Sequence, residues 1–358
     1  MTTYATDSAP LDLAAIRERV DAVLEEFLER KASVCSRLQL PGEVADVLHR
    51  FLFAGGKRLR PLLCVLGWHA ADNEFGLPEP VVRVAASLEM FHTSILVHDD
   101  IIDGSDTRRD QPTVHRALAA AHRERLDPDR FGIHAAIILG DLAAVWSAEL
   151  LHSAGLTSHQ LASAIGILDC MRTDVMYGQY LDMLTTGLPT CDLELAMKII
   201  RYKTVAYTCE RPLHLGASLA DAQPHILTAL SAYAHPLGEA FQLQDDLLGV
   251  YGNPAMTGKS NLEDLRDGKH TALVAIGLKN ADPKQQEQLR ILIGNSRLNE
   301  SCAAVCRDIL TVTARPKIDA MIRTRWSEAQ HALNKAPFPP TVIQALRYVA
   351  DAVVARNK

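Results

Sequence analysis

The chain has 358 residues, 48% hydrophobic but only 5% aromatic, with a formal net charge of −6 and a pI near 6.2. That charge balance excludes a general nucleic-acid binder, so no nucleic-acid partner is expected. Seven scattered cysteines, an odd number in a long chain, exclude a disulfide framework, and Cys302 with Cys306 reads as a buried thiol pair rather than a zinc site.

Met1 to Pro10 is short and polar, which reads as a flexible N-terminal segment and not as a signal peptide. No run of ~18 uncharged apolar residues is found, so no membrane span is expected and the protein is placed in the cytoplasm. The interior has no Ser/Gly-rich tract, charge block or short repeat, so residues 1–358 read as one domain.

The period along the chain is helical. Leu11 to Val34 places Leu13, Ile16, Val20, Val23 and Leu24 at three- and four-residue spacing. Val81 to Ile102 is apolar on nearly all sides, as in a helix inside a large bundle. Gly104 to Arg130 is polar and reads largely as loop. Ile133 to Leu156 and Leu161 to Met183 resume as helices, with a capping box at Thr157 and Gln160 between them. Leu193 to Leu219 and His225 to Val250 are two more long helices. Asn253 to Gly268 reads as loop, and Asp282-Pro283 with Gln285 opens another helix. Strand alternation is nowhere sustained. The fold class is therefore all-α, a bundle of roughly ten helices.

Two of these helices end in acids. The first cluster is Asp99-Asp100-Ile101-Ile102-Asp103 and the second is Asp245-Asp246-Leu247-Leu248-Gly249, which lacks the last carboxylate. Charges at the ends of apolar stretches are costly unless paired. Asp99 and Asp103, four apart, share one helical face, and such oxygens suit Mg²⁺. Asp100 points aside as a second ligand or orienter. The clusters lie 245 − 99 = 146 residues apart, so only tertiary folding can join them.

Cations stand nearby in sequence. Lys57 and Arg60 lie in Gly55-Gly56-Lys57-Arg58-Leu59-Arg60-Pro61, and Arg108-Arg109 follows the first cluster. Lys203, Lys259 and Lys269 form a second basic set. Arg grips phosphate oxygens bidentately and Lys acts as a point charge, so acids and bases together suggest a diphosphate substrate. His98-Asp99 superficially matches the metal dyad of helical phosphohydrolases, but the second motif lacks histidines, so His98 reads as structural. His92, seven before Asp99, shares its face and could donate to phosphate.

The series resembles the trans-isoprenyl diphosphate synthases, or polyprenyl synthetases, over about Phe53 to Thr271. The motifs already quoted are joined in order by Gly178-Gln179-Tyr180-Leu181-Asp182, Lys203-Thr204, Phe241-Gln242, Gly258-Lys259, Asp264-Leu265 and Gly268-Lys269. The resemblance implies an isoprenoid synthase fold, a single-domain bundle around a deep central cavity, in a homodimer. It implies condensation of isopentenyl diphosphate with an allylic diphosphate (dimethylallyl, geranyl or farnesyl), with three Mg²⁺ per site. Asp99, Asp103 and Asp245 would bind the metal, supported by Asp100 and Asp246. Arg108, Lys203 and Lys259 would contact the allylic diphosphate. Lys57, Arg60, His92 and Arg109 would hold isopentenyl diphosphate, and Thr204 and Gln242 would border the forming carbocation.

By the same resemblance, the residue five before the first Asp is the floor of the cavity. Here it is Ser94, small, with Ile95 beside it, and Phe91 lies one turn deeper. Three helical residues rise ~4.5 Å, close to one isoprene unit, so the expected product is C20 geranylgeranyl diphosphate with Phe91 as the floor. A farnesyl or longer product is the alternative. A class I terpene cyclase shares DDxxD but would not need Lys57, Arg60 and Arg109. A non-catalytic subunit of a heteromeric synthase has only Gly249 in its favour.

Overall fold

The computed structural model describes residues 11–71, 76–254 and 260–354. Among them the structure is helical except for one two-stranded ladder, as the periodicity predicts. Helix α1 spans Leu13–Arg37 and is capped by the Asp12 carboxylate, which accepts from the amides of Ala14 and Ala15. Helices α2 (Glu43–Phe53) and α3 (Leu59–Ala71) lead to α4 (Glu79–Ile102), which carries the first acidic cluster. Helix α4 is wrapped by α1, α3 and α6 (Pro128–His152), which is why it is apolar nearly all round.

The segment after α4 is more ordered than a loop. Strands β1 (Thr107–Arg108) and β2 (Gln111–Pro112) pair antiparallel, and α5 (Val114–Ala121) follows. Arg109 and Asp110 form the two-residue turn, with φ of 54° and 60°. Strands of two residues are too short to leave an alternating pattern, and this hairpin aims Arg108 back at α4.

Helix α7 (Ser158–Thr185) starts at the expected Thr157–Gln160 capping box. The stretch expected as one helix from Leu193 to Leu219 is three: α8 (Leu193–Ile199), a π-helix (Ile200–Glu210) and α9 (Arg211–Leu219). Apolar spacing does not distinguish π from α turns, although Pro212 marks the return because it has no N–H for the carbonyl four residues back. Helix α10 (Pro224–Tyr251) carries the second cluster and runs through Pro236. The loop expected after it contains α11 (Glu263–Asp267). Helices α12 (Ala272–Asn280), α13 (Pro283–Leu292), α14 (Glu300–Thr313), α15 (Arg315–Lys335) and α16 (Pro340–Val354) complete the described chain. The capping box predicted at Asp282–Gln285 opens α13.

By length and composition alone, α4 and α6 are long and apolar enough to cross a membrane. In α4, 72% of the apolar window is buried in protein, and in α6 39% is. Helix α6 turns Ile133, Ile137, Ile138 and Val145 outward. The flexibility expected for Met1 to Pro10 concerns residues outside those described.

Candidate active site

The site is built where the C-terminal ends of α4 and α7 meet the π-helix and the ends of α10 and α11. Arg108 reaches from the hairpin to α4, with its Nη2 2.6 Å from Asp100 and 3.3 Å from Asp99. Burial opposes charge on Arg108, but Asp100 and Asp99 outweigh it and raise its pKa. Asp100 thus turns inward onto Arg108. Asp99 and Asp103 remain partly exposed.

Two lysines tie the first cluster to other helices. Lys203, on the π-helix, donates to Asp182 at 2.6 Å and to Asp99 at 3.5 Å. Lys269 donates to Asp103 at 2.7 Å and lies 3.9 Å from Asp264. Both lysines are half-buried, which opposes their charge, and the surrounding carboxylates more than offset that, raising both pKa values. Gly178 of α7 makes the approach to the π-helix possible, because a Cβ there would collide with the Lys203 backbone.

The second cluster is completed from elsewhere. A Cβ on Gly249 would overlap the Asp264 carboxylate, so the missing side chain leaves room for a carboxylate supplied by α11. Asp246 is buried, and burial lifts its pKa to about 7, with Asp264 and Asp245 adding to the rise against a hydrogen bond from Gln242. Thr204 donates to the Gln242 carbonyl at 2.6 Å, and the Gln242 amide donates to Asp246 at 2.9 Å. This relay places Thr204 and Gln242 together. Asp103, Lys269, Asp264 and Gly249 link the two clusters.

A second basic wall flanks this one. Arg60 donates to Thr208 at 2.7 Å, with its guanidinium 4.3 Å from the centre of the Tyr207 ring. Tyr207 accepts from Arg60 and donates to His92 Nδ1 at 3.2 Å, which leaves the proton of a neutral imidazole on Nε2. Burial, then Arg60, Arg109 and Arg108, hold the His92 pKa well below its usual value, so His92 is neutral. Arg109 bonds the Gly55 carbonyl and rests on Gly56. Lys57 is exposed on the same loop. Arg58 points the other way, into the protein, where it pairs with Asp21 and Glu89.

Phe91 and Ser94 are buried and Ile95 half-buried along α4. Lys259 lies outside the described residues. Asp182, Asp264 and Tyr207 are placed at the site without having been assigned a role from sequence, and Lys269, named there only as one of a basic set, pairs with Asp103. Asp182 closes a quoted motif and Tyr207 lies one turn after Lys203, so both were within reach. Asp264 needed the space at Gly249 to be known.

Among the described residues no three His, Cys, Asp or Glu side chains are gathered so as to hold a metal ion; Asp99 and Asp103, 16% and 13% exposed, have oxygens of the type a hard divalent cation takes but are ion-paired to Arg108, Lys203 and Lys269.

The polyprenyl synthetase family pattern matches residues 42–310. The chain belongs to the polyprenyl synthetase family. A short chain isoprenyl diphosphate synthase of Methanocaldococcus jannaschii is 31% identical over 80% of this chain and 78% of its own. A geranylgeranyl diphosphate synthase of Saccharolobus solfataricus is 29% identical over 85% and 88%. Among solved structures, the geranylgeranyl pyrophosphate synthase of Corynebacterium glutamicum, complexed with isoprenyl diphosphate and magnesium, is 38% identical, covers 97% of this chain and 100% of its own, and superposes with a TM-score of 0.92. The fold is the all-α fold of these synthases, and the chain is a trans-prenyltransferase that elongates prenyl diphosphates.

Proposed function

We propose that this polyprenyl synthetase makes geranylgeranyl diphosphate from isopentenyl diphosphate and an allylic primer of the dimethylallyl, geranyl or farnesyl series. The observation that carries the C20 assignment is the wall of α4: Ser94 is small, Ile95 is not aromatic, and Phe91 is the first aromatic ring below Asp99. The relatives named for C20 products support it.

In this reading Asp99, Asp103 and Asp245 would hold Mg²⁺, three ions per site, with Asp100 and Asp246 orienting them. Bound magnesium would supply positive charge to the departing diphosphate. Arg108, Lys203 and Lys259 grip the same diphosphate, and Lys203 and Arg108 stay charged because carboxylates surround them. Lys57, Arg60 and Arg109 clamp isopentenyl diphosphate, with His92 donating as a neutral imidazole. The allylic C–O bond breaks, and the double bond of isopentenyl diphosphate attacks the cation. A proton then leaves for the released diphosphate. The Thr204 oxygen and Gln242 carbonyl present negative dipoles to the cation, and the apolar wall keeps water from it.

The chain acts as one domain and as a homodimer, whose contact covers the outward apolar residues of α6. Incubation with labelled isopentenyl diphosphate, farnesyl diphosphate and Mg²⁺ tests the reading, with sizing of dephosphorylated products. A C20 alcohol is expected. Cyclic hydrocarbon would point to a cyclase, and no turnover to a partner subunit. Ser94→Phe should shorten the product and Phe91→Ala lengthen it, and unchanged lengths in both would remove Phe91 as the floor.

A further inference from the structure

Asp264 reaches the second cluster from α11, a helix of five residues and too short to fix its own position. Several bonds hold α11 in place. The Gly294 amide donates to the Leu265 carbonyl at 2.8 Å, Arg266 Nε to the Leu298 carbonyl at 2.9 Å, and the Gly187 amide to the Gly268 carbonyl at 3.0 Å. These run to the connection between α13 and α14 and to the turn after α7, not to α10. The tie to α10 is made by a side chain of α14. Arg307 donates through Nε to the Val250 carbonyl at 2.7 Å and through Nη2 to the Asn261 carbonyl at 3.3 Å. Val250 follows Gly249 on α10, and Asn261 lies three residues before Asp264. One guanidinium edge therefore joins the two segments whose approach puts Asp264 against Gly249.

The grip suits arginine. Val250 lies in the last turn of α10, whose carbonyls lack partners within the helix, and a cation there also meets the negative end of the helix dipole. Nε and Nη2 belong to one rigid, planar fork, so two carbonyls bound to it are held at a set separation. The Arg307 side chain is 15% exposed, and its Nη1 pairs with Glu300, which is 68% exposed. That outer pair adds little. Two more bonds close the same joint. The Asn261 side-chain amide donates to the Gly252 carbonyl at 3.0 Å, across nine residues of sequence, and the Tyr251 hydroxyl donates to the Arg307 carbonyl at 3.3 Å.

Resting on the synthase reading above, we propose that Arg307 is a positioning residue for the allylic diphosphate: it fixes α11 against the end of α10 and so holds the Asp264 carboxylate in the space that Gly249 leaves. Arg307 acts through Asp264, which lies 3.9 Å from Lys269 and faces the second cluster. Without the fork, the start of α11 is free to draw back from α10 while its other bonds persist.

The test is steady-state kinetics of full-length protein with farnesyl diphosphate, isopentenyl diphosphate and Mg²⁺. It compares Arg307→Gln, Arg307→Lys, Asp264→Asn and the double variant Arg307→Gln with Asp264→Asn. Arg307→Gln should raise KM for farnesyl diphosphate about tenfold, as expected when a group that orients a site is lost. KM for isopentenyl diphosphate should stay at the wild-type value, because Arg60, His92 and Arg109 lie on other elements. Arg307→Lys keeps the charge without the fork and should raise the same KM by less. In the Asp264→Asn background, Arg307→Gln should add nothing, since its effect passes through that carboxylate. KM is read from active molecules alone, so a smaller folded fraction lowers the rate without imitating the shift. A lower rate with both KM values at wild type would make Arg307 a structural residue and overturn the proposal. The same rise in KM with and without Asp264→Asn would overturn its action through Asp264. A wild-type protein that adds no isopentenyl unit would remove the synthase reading itself.

Discussion

Arg58 and Arg60 lie two residues apart in one basic motif and do opposite work. The Arg58 side chain is 5% exposed and donates to Glu89 at 3.0 Å, Asp21 at 2.7 Å and the Leu52 carbonyl at 3.1 Å. Glu89 is 6% exposed. Arg58→Met would strand the Glu89 charge, and breaking a buried pair from one side costs about 3–5 kcal/mol. The lost bond to Leu52 adds about 1 kcal/mol. Asp21 is 39% exposed and can turn to water, so its share is small. A loss of about 4–6 kcal/mol is expected in urea unfolding, read as a lower midpoint at constant m-value. Replacing both partners, Arg58→Met with Glu89→Met, should restore much of it, because two apolar groups leave no orphan charge. If Arg58→Met unfolds at the wild-type urea concentration yet raises KM for isopentenyl diphosphate, Arg58 belongs to the substrate pocket and the assignment is wrong.

Two further predictions concern the acidic and histidine clusters. Gly249→Ala should push the Asp264 carboxylate out of place and raise the Mg²⁺ needed for half-maximal activity about 10–100-fold, the usual cost of disturbing groups that orient a metal site. Manganese binding by calorimetry should weaken in parallel, and unchanged binding would separate Asp264 from the metal. His235 donates to Glu210 at 2.8 Å, and that bond raises the His235 pKa above 6.5 while helping to hold Glu210 at about 2 against burial. A raised histidine pKa stabilises below the unfolded value and is lost as pH rises through the folded one. Wild type should therefore lose stability above about pH 6.5, and His235→Gln should flatten that decline; parallel pH profiles of the two would refute it.

Sequence was most informative where chemistry and period coincide. Helices α4 and α10 could be read because each is a long apolar run broken by acids, and the capping boxes at Thr157 and Asp282 because their partners are local. The hairpin at Thr107–Pro112 was missed because two-residue strands have no period, and its turn uses Arg109 and Asp110 where glycine or asparagine would have signalled it. The inward turn of Arg58 depends on Asp21 and Glu89, on two other helices. Gly249 looked like a lost ligand because what fills its place comes from Asp264, fifteen residues on (264 − 249 = 15). Such features are tertiary, and single-sequence patterns carry no trace of them.

The π-helix at Ile200–Glu210 has a consequence for how this chain tolerates change. A wider turn is in effect an α-helix with an added residue, so removing one residue there would let the segment relax into α geometry. Everything beyond the deletion would then rotate by about 100° relative to what precedes it. Lys203 and Thr204 could keep facing Asp182 and Gln242 while Tyr207 and Thr208 swung away from His92 and Arg60, or the reverse. The segment is a phase adjuster between the ionising wall and the isopentenyl wall, and its length is under tighter constraint than its composition.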